Sequence, residues 1–161
     1  MIIAVINNVV LFFLAIFLSS CQRDEPQKSP AFVIVNVLDK EYFDDCHIKG
    51  SVHVAFGDLK EHAELFWDKD NTQIVVHCSN YSCGASMEGC KMLKQLGFKH
   101  VWAFEGGTAE AKASGIVVEG VCKEPYLNDY RKPEHYVQDQ SVVTISVEEL
   151  KKKIEEFAIK Q

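Results

Sequence analysis

The sequence predicts an α/β domain with a central parallel sheet, helices on both faces of that sheet and a C-terminal helical extension. Strand-like and helix-like segments alternate from Phe32 onward, and this order favours parallel strands. The strand-like runs are short and apolar, and each is followed by a turn or by an amphipathic segment. An apolar content of 47% and a charged content of 25% are typical of a globular protein.

The first half of the domain is predicted to contain two strands, a short polar element and a helix. Apolar runs indicate the strands, and the spacing of Leu59, Ala63 and Phe66 places these side chains on one helix face. In chain order the elements are a strand at Phe32 to Val37, a turn or brief helix at Lys40 to Asp45, a strand at Gly50 to Phe56 and a helix at Asp58 to Trp67.

The second half repeats this alternation around a cysteine. Ile74, Val75 and Val76 form the apolar centre of a strand, and Gly97 ends the helix that follows. In chain order the elements are a strand at Thr72 to His77, a helix at Ala85 to Leu96, a strand at His100 to Phe104 and a helix at Thr108 to Ala113.

Cys78 directly follows the third predicted strand and precedes the helix that begins at Ala85. A loop at a helix N-terminus presents unpaired backbone N–H groups and the positive end of the helix dipole. We therefore expect the thiolate of Cys78, and a persulfide formed from it, to be stabilised. Ligands of parallel sheets bind beyond the C-terminal ends of the strands, where Cys78 lies. Cys78 is the predicted nucleophile, and the alternative is an inert apolar residue at a strand end.

The residues that follow Cys78 are the predicted substrate-binding loop. Its backbone N–H groups and hydroxyls would have to hold an anionic substrate, because the loop contains no arginine. The candidates are Ser79, Asn80, Tyr81, Ser82 and Gly84, together with Ser86, which could donate to the thiolate or cap the helix. Cys83 could resolve a persulfide or sulfenic acid on Cys78 as a disulfide, be structural, or be the nucleophile itself, since it lies nearer the helix N-terminus.

Residues 1–20 are predicted to be a signal peptide and residues 21–31 a polar tether. Val9 to Leu18 is an unbroken apolar run, and LSSC at Leu18 to Cys21 resembles the lipobox of bacterial lipoproteins. Cys21 is therefore the predicted lipid attachment point. The run has no preceding lysine or arginine, so an uncleaved anchor and an ordinary cleaved signal are the alternatives. Each alternative places the domain outside the cytoplasm, in the periplasm or outside the cell.

The remaining cysteines and the charge limit the classes of partner. Five cysteines follow Cys21, and an odd number leaves at least one thiol unpaired in an oxidising compartment. Cys90 is predicted to be a core residue, and the spacing of Cys46 and Cys122 leaves open whether they pair. The cysteine spacings match no common zinc pattern, so we expect no metal and no cofactor.

A net charge of −6, with no basic cluster outside Lys151 to Lys153, argues against nucleic acid as a partner.

Two further segments resemble the rhodanese-like domain family over Phe32 to Gly120. CHIKGSVHVAFGDL at Cys46 to Leu59 resembles the family's His-Ile-x-Gly-Ala signature, and FEGGTAEAKASGIVVEG at Phe104 to Gly120 resembles its closing segment. The resemblance implies a rhodanese-like fold and a sulfurtransferase site in which Cys78 carries sulfur as a persulfide. It also implies a small sulfur-donor anion or a thiol acceptor as the partner. His47 and His53 belong to the signature, and we expect them to pack or to form hydrogen bonds.

The cysteine loop departs from the family pattern. Arginines usually follow the cysteine, whereas Arg23 and Arg131 are the only arginines of this chain. Phosphatase and arsenate-reductase activities are disfavoured, because Gly84 stands where they need an arginine. Two other functions stay open: a thiol-disulfide protein that uses Cys78 and Cys83, and a catalytically inactive binding module.

Residues 121–161 are predicted to be an extension beyond the domain at residues 32–120. Val121 to Gln140 is polar and irregular and is predicted to be a surface segment. Ser146 to Glu149 has the pattern of a capping box ahead of a final helix. One side of that helix carries Val147, Leu150, Ile154 and Phe157, and we expect it to pack against the domain.

Overall fold

The computed structural model describes residues 29–158, and its centre is a parallel sheet of four strands. The strands lie in the order β3-β1-β4-β5, and each neighbouring pair is parallel. Two shorter strands, β2 and β6, form a separate antiparallel pair. The strands are β1 at Phe32–Asn36, β2 at His47–Ile48, β3 at Val52–His53, β4 at Gln73–His77, β5 at His100–Phe104 and β6 at Val118–Glu119.

Helices lie on both faces of the sheet, and the core divides into two clusters on these faces. Along β1 and β4 the buried side chains alternate, so Val35 faces one cluster and Ile34 the other. The helices are α1 at Lys40–Asp45, α2 at Leu59–Phe66, α3 at Ala85–Gln95, α4 at Gly107–Ala113 and α5 at Val147–Ala158. Buried residues of α2 and α3 belong to the first cluster, and those of α4 and α5 to the second. The predicted α/β architecture is confirmed.

Most predicted elements agree with the structure to within one residue, and β3 is the exception. The predicted strand at Gly50 to Phe56 is reduced to Val52–His53. Gly50 has a φ of 79° and turns the chain before the strand, and Phe56–Asp58 forms a 3₁₀ turn after it. The backbone hydrogen bonds from Val54 and Phe56 to β1 and Val37 still hold this segment at the sheet edge.

The C-terminal extension is packed against the domain as expected. Ser146 and Glu149 form the reciprocal capping box: the Ser146 N–H donates to Glu149 Oε2 at 2.8 Å, and the Glu149 N–H donates to Ser146 Oγ at 3.2 Å. Leu150 is fully buried, and the ring of Phe157 stacks on Phe32 with a centroid distance of 4.7 Å. This apolar face fixes α5 on the sheet.

A disulfide joins Cys46 to Cys122 across 76 positions of the sequence. It connects the end of α1 to the start of the extension. Nearby, Cys122 N–H donates to the Asp45 carbonyl at 2.8 Å, and the Asp45 carboxylate accepts the N–H groups of Lys123 and Glu124 at 3.0 Å. Spacing alone did not predict this pairing. The segment at residues 121–140, predicted to lie on the surface, also contributes to the core. Its 3₁₀ helix at Pro125–Asn128 buries the side chain of Leu127.

The predicted signal peptide, the lipid site at Cys21 and most of the tether lie outside the described residues. Within residues 29–158, no helix has the length and apolar character needed to cross a membrane.

Candidate active site

The loop between β4 and α3 folds back on itself through the side chain and backbone of Asn80. Asn80 Oδ1 accepts the Ser82 N–H and the Asn80 carbonyl accepts the Cys83 N–H, each at 3.1 Å. This turn brings Cys83 back beside Cys78, so the two thiols of the Cys-x4-Cys sequence lie together at the C-terminal edge of the sheet.

Cys78 is the inner member of this thiol pair and is completely inaccessible to solvent. Its Sγ donates to the Cys83 carbonyl at 3.1 Å and lies 3.5 Å from Ser86 Oγ. The hydrogen bond to the Cys83 side chain and the burial of the thiol raise the pKa of Cys78 well above its ordinary value. Cys78 is therefore the protonated member of the pair at neutral pH.

Cys83 is half-buried, and its thiol has the lower pKa of the pair. The hydrogen bond from Cys78 is the largest cause that lowers the pKa of Cys83, to about 5. The N–H groups of Ala85 and Ser79 and the Ser79 hydroxyl also favour its thiolate. Ala85 is the first residue of α3, so the helix N-terminus stabilises the anion.

The structure thus brings the predicted pair together, and the pKa is lowered at the second cysteine rather than at the first. The expectation that backbone donors would stabilise the Cys78 thiolate holds only for Ser86, whose N–H and hydroxyl face Cys78. Cys83 lies two positions before Ala85, whereas Cys78 directly follows β4 and is buried in the core. The signal available in the sequence was the closeness of Cys83 to the helix start.

The other predicted loop residues mostly hold the loop in place. The Ser82 N–H is occupied by Asn80 Oδ1, and the Tyr81 hydroxyl donates to Glu110 Oε2 at 3.0 Å. Gly84 occupies the N-cap position of α3 without a side chain to cap it. Ser79 remains close to the thiolate through both its N–H and its hydroxyl.

The start of α4 packs directly against this loop at Gly107. The Thr108 and Ala109 N–H groups donate to the carbonyls of Cys78 and Ser79, each at 3.0 Å. Gly107 has a φ of 59°, and a Cβ added there would lie 2.5 Å from the Cys78 carbonyl oxygen. Only glycine allows the two backbones to come this close, so Gly107 helps to fix the backbone of the thiol loop.

Comparison with known proteins identifies the fold that holds this loop. The family model described as a rhodanese-like domain matches residues 22–114. This chain belongs to the rhodanese-like domain family. It is 29% identical over 96 residues to the thiosulfate sulfurtransferase GlpE of Coxiella burnetii, which covers 60% of this chain and 86% of the relative.

Solved rhodanese-like domains agree with the architecture. The Rhodanese_3-like domain of the Alr3790 protein from Anabaena sp. superposes with a TM-score of 0.51 at 30% identity, over 55% of this chain and 99% of that one. A second structure of the Alr3790 protein gives a TM-score of 0.52 at 32% identity, over 57% of this chain and 71% of that one. The matched family segment ends before the extension begins.

In this rhodanese-like domain the extension forms part of the site. Asn80 Nδ2 lies 3.4 Å from both the Tyr126 carbonyl and Asp129 Oδ2, which ties the loop to the 3₁₀ helix. A cavity of about 320 Å³ opens between these parts and is lined by Leu38, Tyr42, Ser79, Glu124 and Tyr126. Because Ser79 borders both the cavity and the Cys83 thiolate, a small substrate in the cavity would lie near the sulfur pair.

Histidines and metals offer no second source of charge for the rhodanese-like site. His77 is fully buried behind the loop, and burial lowers its pKa to about 4, so its imidazole is neutral at physiological pH. Its Nδ1 faces the Cys78 carbonyl at 3.3 Å rather than the thiol. Within residues 29–158, no three histidine, cysteine or acidic side chains are placed to hold a metal ion.

Proposed function

We propose that this chain is a sulfurtransferase in which the Cys78–Cys83 pair carries sulfur as a persulfide. The observation that carries the proposal is the turn that places two free cysteines in one loop at the start of α3, with the buried Cys78 Sγ 3.1 Å from the Cys83 carbonyl. The pKa of the half-buried Cys83 is lowered there and that of Cys78 is raised. The similarity to a thiosulfate sulfurtransferase supports the same chemistry. Cys78 retains the role of sulfur carrier, and Cys83 makes the first attack.

The reaction starts at Cys83 because its sulfur is charged and reachable. The thiolate attacks the outer sulfur of the donor, a new S–S bond forms, and the donor's own S–S bond breaks as its leaving group departs with the electron pair. Cys78 then attacks the terminal sulfur of the Cys83 persulfide. The bond to Cys83 breaks, the Cys78 proton passes to the Cys83 sulfur, and Cys78 holds the persulfide within the core.

Release follows by one of two balanced steps. The transfer to Cys78 reverses, and an acceptor thiolate attacks the terminal sulfur of the reachable Cys83 persulfide, becomes a persulfide itself and leaves Cys83 as a thiolate. Alternatively, Cys83 attacks the Cys78 sulfur, which forms the Cys78–Cys83 disulfide and expels hydrosulfide. The second step explains why a second thiol lies against the first.

The charges around the pair favour a donor of low charge over the thiosulfate dianion. No arginine follows Cys78, and the loop is bordered by Glu105, Glu110 and Glu124. A dianion would therefore meet carboxylates and a thiolate, with Lys132 as the one basic residue in the walls of the two cavities. A thiol persulfide brings less charge to the same sulfur.

Mass spectrometry of the loaded protein tests the proposal. We expect incubation with cysteine persulfide, and more weakly with thiosulfate, to add the mass of one sulfur atom to the wild-type chain. Cys78, Cys83 and Cys90 lie on a single tryptic peptide between Lys69 and Lys91, so fragmentation must assign the site. Loading should slow strongly in Cys83→Ser, stop at Cys83 in Cys78→Ser, and be unchanged in the control Cys90→Ala.

Sulfur transfer that persists in the Cys78→Ser/Cys83→Ser double variant would refute the proposal. The thiol contact also favours a second function, a thiol-disulfide protein that uses the same pair. That function is supported if the wild-type chain reduces a substrate disulfide catalytically but accepts no sulfur. Neither activity, with both thiols unmodified, would leave the inactive binding module.

We also propose that the domain lies in the cell envelope, anchored by a lipid on Cys21. The Cys46–Cys122 disulfide supports an oxidising compartment, because such bonds are rare in the cytosol. We expect a bacterial host to incorporate labelled palmitate into the full chain, and Cys21→Ser to abolish this label and release the protein from the membrane fraction. A Cys21→Ser protein that stays labelled would exclude this site, and Cys90→Ser is the matched control.

A further inference from the structure

A second cavity lies on the other side of the thiol loop and has a volume of about 340 Å³. It is formed where the end of β5 and the start of α4 meet the start of α5. Its wall consists of Tyr81 from the loop, Glu105, Gly106, Glu110, Lys132 and residues 144–149. This volume is within the range of small-molecule sites.

The cavity is strongly acidic, and one of its carboxylates is buried with one oxygen unpaired. Glu105 has only 6% of its surface exposed, and its Oε1 accepts no hydrogen bond. Glu148 forms no hydrogen bond or ion pair in the described chain, whereas Glu110 and Glu149 accept from Tyr81 and Ser146. A buried carboxylate oxygen without a donor is costly, so its retention points to a cationic partner.

The chain itself supplies little to neutralise these groups. Lys132 is the only basic residue in the wall, and among the described residues its Nζ makes no ion pair with a carboxylate. That Nζ lies instead 5.1 Å from the centroid of the Tyr136 ring. One cation therefore faces four carboxylates.

The size of the cavity and the number of carboxylates in its wall suit an organic cation. No three acidic side chains of the described chain converge closely enough to ligate a metal. An aliphatic ammonium group, which has three N–H donors on a flexible chain, can reach separated carboxylates in a cavity of this size.

The cavity is also coupled to the sulfur chemistry. Tyr81 belongs to the thiol loop, and its ring meets the ring of Tyr136 edge-on at 5.3 Å. Burial, a hydrogen bond to Glu105 and the nearby charges of Glu105, Tyr81 and Cys78 raise the pKa of Tyr136. The contact between the rings of Tyr81 and Tyr136 thus connects the acidic wall to the thiol loop.

We propose that this cavity binds the ammonium group of an aminothiol, so that the protein passes sulfur preferentially to thiol acceptors that carry a positive charge. The inference rests on the proposed sulfurtransferase function and specifies its acceptor. A thiol a few bonds from the bound ammonium would be directed toward the loop that carries Cys78 and Cys83.

Binding is tested first, without sulfur chemistry, on the Cys78→Ser/Cys83→Ser variant of the full chain. We expect titration with propylammonium to shift the NMR signals of Glu105, Tyr81 and Tyr136, and matched 1-propanol and propionate to shift none of them. Glu105→Gln should weaken binding by about tenfold or more, since it removes a buried charge partner. Glu148→Gln should weaken it by up to about fivefold, as expected for an exposed partner.

Glu155→Gln is the control for the loss of one negative charge. Glu155 lies on α5, as Glu148 does, but it is exposed and outside the cavity. It should leave the affinity for propylammonium unchanged. Equal weakening by Glu155→Gln would show general attraction to an acidic protein and would overturn the site, as would the absence of propylammonium shifts at the cavity.

Acceptor preference is tested on the chain with both thiols present. At equal thiolate concentrations we expect cysteamine to accept sulfur about tenfold faster than 2-mercaptoethanol, and 3-mercaptopropionate to be slowest. Glu105→Gln should reduce this preference, and Glu155→Gln should preserve it. Equal transfer to all three thiols would overturn the inference while the sulfurtransferase function stands, whereas propylammonium binding without transfer to any thiol would overturn the function and the acceptor role together.

Discussion

Replacing Cys83 by serine is expected to move the pH midpoint of thiol alkylation from about 5 to above the ordinary value of a cysteine thiol. In the wild-type chain the pKa of Cys83 is lowered, so its thiolate is present above pH 5 and is lost as the pH falls through that value. The serine variant leaves Cys78 as the titrating thiol of the pair, and burial raises the pKa of Cys78. Iodoacetamide labelling followed by intact mass across pH 4 to 10 measures this shift.

The replacement of Cys78 separates the two causes of the low Cys83 pKa. Cys78→Ser keeps a hydroxyl donor beside Cys83 and should raise the midpoint slightly, whereas Cys78→Ala removes the donor and should raise it further. The N–H groups of Ala85 and Ser79 remain in both variants, so the midpoint should stay below the ordinary value. Cys90→Ala is the control, since Cys90 is a buried thiol whose pKa is raised to about 12.

A Cys83→Ser protein that still reacts with a midpoint near 5 would show that Cys78 carries the charge. The first attack on the donor would then belong to Cys78, as the sequence alone suggested. The wild-type pH profile cannot distinguish these cases, because a coupled pair titrates as a unit.

The sheet and its helices could be predicted from the sequence because each has a local pattern. The apolar β-branched run at Ile74 to Val76 and the three-residue spacing of Met87, Cys90 and Leu93 need no distant partner to be recognised. The predicted length of strand β3 is too great, because apolar residues continue past the point where the chain turns into a 3₁₀ helix.

The site could be located from the sequence, but its charge distribution could not. Position after a buried strand was enough to place Cys78 and Cys83 in one loop. Which sulfur is charged depends on burial and on the direction of individual N–H groups, and these follow from the turn at Asn80 and the contact with Gly107. Such contacts join segments that are distant in the chain.

The extension was the least predictable part, because its structure depends on long-range partners. Residues 121–140 contain little periodicity, and the disulfide at Cys122, the carboxylate of Asp45 and the side chain of Asn80 hold part of them in place. The acidic cavity likewise combines Glu105 with residues 144–149, which meet because Ile145 N–H donates to Ala103 at the edge of β5.

Removing the Cys46–Cys122 disulfide is expected to lower the free energy of unfolding more than removing the two cysteines of the thiol loop. The chain-entropy relation gives about 4 kcal/mol for a cross-link between cysteines 76 positions apart, because the bond restricts the unfolded chain more than the folded one. Urea denaturation of Cys46→Ala/Cys122→Ala measures the loss directly.

The double variant Cys78→Ala/Cys83→Ala is the matched control, since it also loses two cysteines but no cross-link. It should cost about 1–2 kcal/mol, mainly through the cavity left at buried Cys78. A reducing agent should lower the wild-type free energy of unfolding toward that of Cys46→Ala/Cys122→Ala and leave the latter unchanged. If Cys46→Ala/Cys122→Ala is instead as stable as the wild-type chain, the cross-link does not constrain the unfolded protein, and the hydrogen bonds of Asp45 alone hold the extension beside the thiol loop.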